Sequence, residues 1–261
     1  MLLSYFAIVA YLIAALLLMR FFTKNDLQHR HQKSIFLLLS FAIITHTLTF
    51  SDFWTTDGVF FGLANSASFV AWLVAILLFL SSISKPVHAL GILVYPLVAA
   101  SLLFSILFPD TAEKTIPLNI ASHVFLSITA YALLALAVCQ SVLLKTQEKH
   151  LHAKKINGFI SKLPPLQTME ALLFQSLRIG FYLLTLSLIS GFIFIDDLFS
   201  QHLVHKTALS VIAWVIFATL IFGRKVFGWR GKQAITAIQI GFGVLVLAYY
   251  GSKFVLERLL S

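Results

Sequence analysis

Eight runs of 17 to 26 mostly apolar residues, separated by short polar stretches, leave this chain very few ways to fold. They cover 2–22, 35–51, 59–81, 90–108, 119–144, 178–195, 207–223 and 234–252. About 20 apolar residues in a helix rising about 1.5 Å each cross the roughly 30 Å hydrocarbon core of a bilayer. Lipid offers the backbone no hydrogen bonds, so only helices and closed barrels span it, and runs this long without period-two alternation exclude a barrel. The sequence therefore predicts an all-α fold, a polytopic bundle of about eight transmembrane helices. It would form one integral membrane domain over 1–261 in a bacterial inner (plasma) membrane. Charged residues make up 11% of the chain, too few for a soluble surface of this size. The first run has no basic stretch before it and no small-residue cleavage site after it, so a retained span is expected.

Lysines and arginines set the orientation. The loops after spans one, three, five and seven carry 15 of the 19, and the opposite side carries Lys114, Lys206, Lys253 and Arg258. Cytoplasmic loops concentrate these residues, which predicts both termini outside. The formal charge of +9 then reads as a topology signal and an attraction to anionic headgroups. Membrane lipid is the expected partner and nucleic acid is not. Between spans five and six, Leu163-Pro164-Pro165-Leu166 reads as a helix start, followed by Met169, Leu172, Leu173 and Leu177 at helical spacing. Residues 164–177 are expected to form a cytoplasmic amphipathic helix lying on the membrane. It would act as an anchor or, with the rest of 145–177, as a docking segment for other inner-membrane proteins.

Ionisable groups within spans are costly and default to functional candidates. Here nearly all are histidines. His29, His31, His88, His150 and His152 fall in the basic loops, whereas His46, His123, His202 and His205 fall near the opposite ends of their spans. His46 lies six residues before Asp52, about 9 Å inside the boundary by helical rise. Three helices thus present imidazoles at one depth. Neutral imidazole is an axial ligand for haem iron, and two from different helices can clamp one macrocycle. Zinc is the rival, but the layer lacks cysteines, and Asp52, Asp57, Asp196 and Asp197 read as loop carboxylates. Each histidine is also able to serve as a plain interhelical hydrogen bonder. Asn65, Ser66 and Ser68 make a polar patch in span three, most simply for helix contacts. A lone Cys139 in span five excludes a disulfide, a C-x-x-C redox pair and a C-x-x-C-H haem attachment. No nucleophile elbow, P-loop, dinucleotide fingerprint or HExxH motif occurs, so an enzyme is not expected.

Further residues carry a family likeness. His123-Val124-Phe125-Leu126-Ser127 with Tyr131, Leu163-Pro164-Pro165-Leu166 with Met169-Glu170, and Gly180-Phe181 with Leu186 and Gly191 are followed by His205-Lys206 with Trp214. Phe227-Gly228-Trp229-Arg230-Gly231 and Tyr250-Gly251-Ser252-Lys253-Phe254 close the series. In these the chain resembles the cytochrome c assembly membrane proteins of the CcsA and HemX type. The likeness is densest from His123 onward and rests before that on the span pattern, His46 and Asn65. It implies haem handling at the outer membrane face, with His123 matching an external haem-ligand histidine and haem b as the expected cofactor. His205 or His46 would then stand opposite on the iron, supported by Asn65, His202 and Lys206. Two functions remain open: a haem-binding accessory protein in haem handling, cytochrome biogenesis or control of tetrapyrrole synthesis, and a transporter subunit or regulatory partner of another inner-membrane complex whose histidines are structural or bind an ion.

Overall fold

Each apolar run forms a helix. The structure is a computed structural model that describes residues 2–23, 29–55, 58–60, 62–110, 115–116, 118–154, 159–194 and 201–251. The helices are α1 (Leu2–Thr23), α2 (His29–Leu48), α3 (Leu63–Ser84), α4 (Gly91–Leu107), α5 (Leu118–His152), α6 (Leu166–Phe194), α7 (Gln201–Phe227) and α8 (Lys232–Val246). Eight helical segments among the described residues are long and apolar enough to cross a membrane. Contacts of Lys85 with Gln175, of Lys162 with the Phe21 carbonyl and of Arg224 with Glu170 bring the basic loops together at one end of the bundle.

Two helices exceed what hydropathy shows. At 35 residues, α5 is about 52 Å long and outruns the hydrocarbon core. Residues expected to form a separate surface helix are instead the first turns of α6, which continues unbroken to Phe194. No proline interrupts 166–194, and Arg178, at which the apolar run begins in the sequence, is exposed. Met169, Leu173 and Leu177 are buried and pack into the core beside Leu144 and Ile160. Hydropathy marks where lipid stops, whereas the helix stops where its backbone is broken.

At the other end a small sheet joins two loops. Strands β1 (Trp54–Thr55), β2 (Gly58–Phe60) and β3 (Thr115–Ile116) pair antiparallel in that order, with Trp54 opposite Val59 and Phe60 opposite Thr115. Apart from Gly58 these are β-branched and aromatic residues of the kind that favour strands. The sheet ties the α2–α3 connection to the α4–α5 connection, and Asp110 adds a second tie. Its two carboxylate oxygens accept hydrogen bonds from the backbone N–H groups of Ala64 and Asn65, both at 2.9 Å. The Gly62 N-cap has no side chain to do this, and a Cβ there would overlap the Asp110 carboxylate.

Two cores meet at α5. One gathers α1 to α4, where Ala7, Ala10, Ala14 and Ala15 let neighbouring helices come close and Tyr11 stacks on Tyr95 at 5.8 Å. The other gathers α5 to α8. Ala132, Leu136 and Cys139 of α5 face the first, while Ala130, Tyr131, Leu134 and Ala137 face the second. At the basic end the Phe227-to-Gly231 motif makes the α7–α8 turn. Gly228 and Gly231 adopt φ of 68° and 57°, where a side chain is strained, and Trp229 packs directly on Gly223. Arg224 pairs with Glu170, donates to the Trp229 carbonyl at 3.2 Å and lies 4.7 Å from the Phe174 ring centre.

The basic end is expected to be cytoplasmic. Alkaline phosphatase fused after Ser261 should then be active and a cytoplasm-dependent reporter silent; the reverse pattern would invert the bundle.

Candidate functional site

A cavity of about 250 Å³ lies at the end opposite the basic loops, among α5, α6, α7 and the C-terminal turn of α8. Helical periodicity builds its walls. His123, Ser127 and Tyr131 recur every four residues along α5, and Leu184, Ser187, Leu188 and Gly191 form one face of α6. From α7 come Lys206, Thr207 and Ser210, and α3 adds Ser66 and Val70. Past Val246, α8 widens into a π turn, Leu247–Gly251, that sets Ala248, Tyr249 and Tyr250 against the cavity. Such turns disturb the regular backbone bonding and recur at functional sites. The Tyr131 hydroxyl donates to the Leu245 carbonyl at 2.7 Å, just before this turn, and the rings of Tyr131, Tyr249 and Tyr250 lie 5.0 to 6.4 Å apart.

His123 is held from α6. Its Nδ1 is 3.0 Å from the Ser187 carbonyl and 3.1 Å from Ser190 Oγ. A carbonyl only accepts, so Nδ1 carries the proton and donates. The neutral ring then keeps a lone pair on Nε2, at the opposite side of the imidazole. This is the arrangement of a metal-ligating histidine, whose other nitrogen donates to a backbone carbonyl and fixes the ring. Ser190 Oγ donates to the same carbonyl at 2.8 Å, and Ser127 and Ser187 hydroxyls meet at 2.6 Å. Gly191 makes room for the ring: a Cβ there would lie 3.1 Å from His123 Cε1.

The remaining candidates lie elsewhere. His46 is fully buried between α1, α2 and α3, with Nε2 3.0 Å from Ser68 Oγ and Nδ1 3.4 Å from the Tyr11 hydroxyl. Both nitrogens are engaged there, and His46 is not among the residues lining the cavity. His205 is exposed on α7, also away from the cavity, while the next residue, Lys206, lines it. The His202 side chain lies outside the described residues. Asn65 uses its backbone N–H on Asp110. One depth along the sequence is therefore not one cavity: rotation about each helix axis sends His46 and His205 to different neighbours. Sequence reading missed Ser187, Ser190, Thr207 and Ser210. The α6 signal was available, because Leu184, Ser187, Leu188 and Gly191 follow the i, i+3, i+4, i+7 pattern of one helix face.

No group of three or more His, Cys, Asp or Glu among the described residues is placed to hold an ion. Zinc sites draw three or four of their ligands from such side chains. A macrocycle with its own equatorial nitrogens needs only axial imidazole, which His123 offers in an apolar pocket.

A model of the Cytochrome C assembly protein family matches residues 60–260. The inner membrane protein YpjD of Escherichia coli strain K12 is 35% identical over 139 residues, 53% of this chain and 52% of that protein. The match thus spans about half the length of that relative. The cytochrome c biogenesis protein CcsA of Guillardia theta is 25% identical over 242 residues, 82% of this chain and 80% of that protein. CcsA of Chlamydomonas reinhardtii is 28% identical over 227 residues, 80% of this chain and 62% of that protein. No solved structure matches.

Proposed function

The chain belongs to the cytochrome c assembly protein family, and on that premise we propose that it is a haem-binding accessory protein of the bacterial inner membrane, acting in haem handling or cytochrome biogenesis rather than as an enzyme. The observation that carries this reading is His123: an imidazole on a cavity wall, its Nδ1 proton committed to the Ser187 carbonyl and its Nε2 left as a donor. Haem bound there would supply iron in a form that is redox-active and transferable. The chain's own residues do the rest. The α6 serines set the tautomer and angle of the imidazole before any ligand arrives, so little ordering remains to be done on binding. Val70, Ile128, Leu184 and Leu188 offer apolar contact to a macrocycle face. His123 is the only imidazole among the described residues lining the cavity, so ligation by histidine would be one-sided. A single axial imidazole suits a ligand that is held and then passed on.

Titrating the purified, detergent-solubilised protein with haem tests this. Saturation at about one haem per chain, with the spectrum of a single-imidazole complex, is the expected result. Absorbance that rises without saturating, as for haem dissolving in micelles, would favour the reading in which the histidines are structural and the chain serves another membrane complex.

A further inference from the structure

We infer that a bound water molecule lies against Gln140 near the basic end of α5 and joins the two halves of the bundle there, at a site separate from the cavity at His123. Gln140 is 5% exposed and comes four residues before Leu144, the last of its apolar run, which puts it about 6 Å inside the span by helical rise. Its Nε2 donates to Ser176 Oγ of α6 at 3.4 Å. Its Oε1 is fully buried and has no hydrogen-bond partner among the described residues. Apolar surroundings offer an amide oxygen nothing, so the group is costly to bury unless a donor reaches it.

The space beside Gln140 selects that donor. A cavity of about 20 Å³ lies among α3, the α3–α4 turn, α5 and α6, and its polar lining is Gln140 with Ser81, Lys85, Gln175 and Ser176. A water needs at least about 10–15 Å³ of such space and some two to four polar partners, and both are present. An acceptor such as Oε1 calls for a donor, which argues against chloride. The Lys85 ammonium, donating to Gln175 Oε1 at 2.8 Å, repels a metal cation from the same space. No organic molecule fits the volume, so a neutral donor with one heavy atom is left. Ser81 and Lys85 belong to α3 and its C-terminal cap, on the α1–α4 side, whereas Gln140, Gln175 and Ser176 belong to α5 and α6. The water and the Lys85–Gln175 bond therefore cross one seam, and the two halves meet at this end through hydrogen bonds as well as apolar packing.

Radiolytic footprinting of the purified full-length protein in detergent tests this, because ionising a bound water makes hydroxyl radicals that attack the side chains next to it. Leu78 and Leu136 line the cavity and are 1% and 3% exposed. Leu102 and Leu220 are each 1% exposed and line neither this cavity nor the one at His123. Oxidation of Leu78 and Leu136, resolved by tandem mass spectrometry, is expected to run several-fold faster than that of Leu102 and Leu220. Equal rates at all four overturn the inference and need no variant to fold. Gln140→Leu removes the unpaired oxygen and should bring Leu78 and Leu136 down to the rate of the other two. Fast labelling that persists in a folded Gln140→Leu protein overturns the assignment of the water to Gln140. Neither result depends on whether haem binds at His123.

Discussion

Replacing Asp110 with alanine is expected to lower the melting temperature of the detergent-solubilised protein by roughly 4–8 °C, corresponding to a loss of about 2 kcal/mol. A helix start leaves its first backbone N–H groups without partners, and α3 begins at Leu63 behind a glycine that supplies none. Asp110 reaches across from the far connection to accept from Ala64 and Asn65. Ala64 is 1% exposed, so removing the carboxylate leaves a buried donor without its hydrogen bond. Charge adds to the effect, because an anion at a helix N-terminus opposes the helix dipole. Asp110→Asn, which keeps one acceptor oxygen and loses the charge, should fall between. A shift within about 1 °C for Asp110→Ala would mean that the two loops are held by the sheet alone.

The eight spans were legible because lipid imposes one rule on every residue within it. Apolar runs near 20 residues show through any detail of packing. What hydropathy did not show is where helices continue past lipid. One apolar run stops before Lys145 and the next starts at Arg178, yet α5 runs on to His152 and α6 begins at Leu166, since both sequences remain good helix formers there. Asp110 was equally hidden. A single acidic residue after Phe108-Pro109 reads as a solvated loop carboxylate, and only the fold brings it to a helix start more than 40 residues earlier in the chain.

The candidate site was half legible. Counting residues from a span end gives depth along the membrane normal but not rotation about the helix axis. His123, His46 and His205 therefore looked alike. In the structure His123 lines the cavity, His46 fills a contact between Ser68 and Tyr11, and His205 turns outward. The α6 partner of His123 lies 64 residues away at Ser187, a pairing that no local pattern announces. Family resemblance singled out His123, Ser127, Tyr131 and Gly191, which do meet at the cavity, and it equally singled out the Phe227-to-Gly231 stretch, which the structure shows to be a helix turn.

The largest functional effect is expected at His123. Its Nε2 would hold haem iron under the proposed reading, and no second histidine lines the cavity among the described residues to take its place. Alanine would leave the apolar walls of the cavity and remove the imidazole that the proposed complex needs. His46→Ala makes the informative control, since it deletes a more deeply buried imidazole from the α1–α3 core and leaves the cavity wall intact. It should cost stability through the orphaned Ser68 and Tyr11 hydroxyls, without reaching the ligand.

The decisive measurement is the haem content, by visible absorption per mole of protein, of the unmodified protein and these two variants purified side by side from haem-replete cells. Haem in the unmodified protein and in His46→Ala, falling at least roughly tenfold in His123→Ala as expected for loss of the only axial bond, is the predicted result. Equal haem in all three, or none in the unmodified protein under conditions where it remains folded, would contradict a haem site at His123.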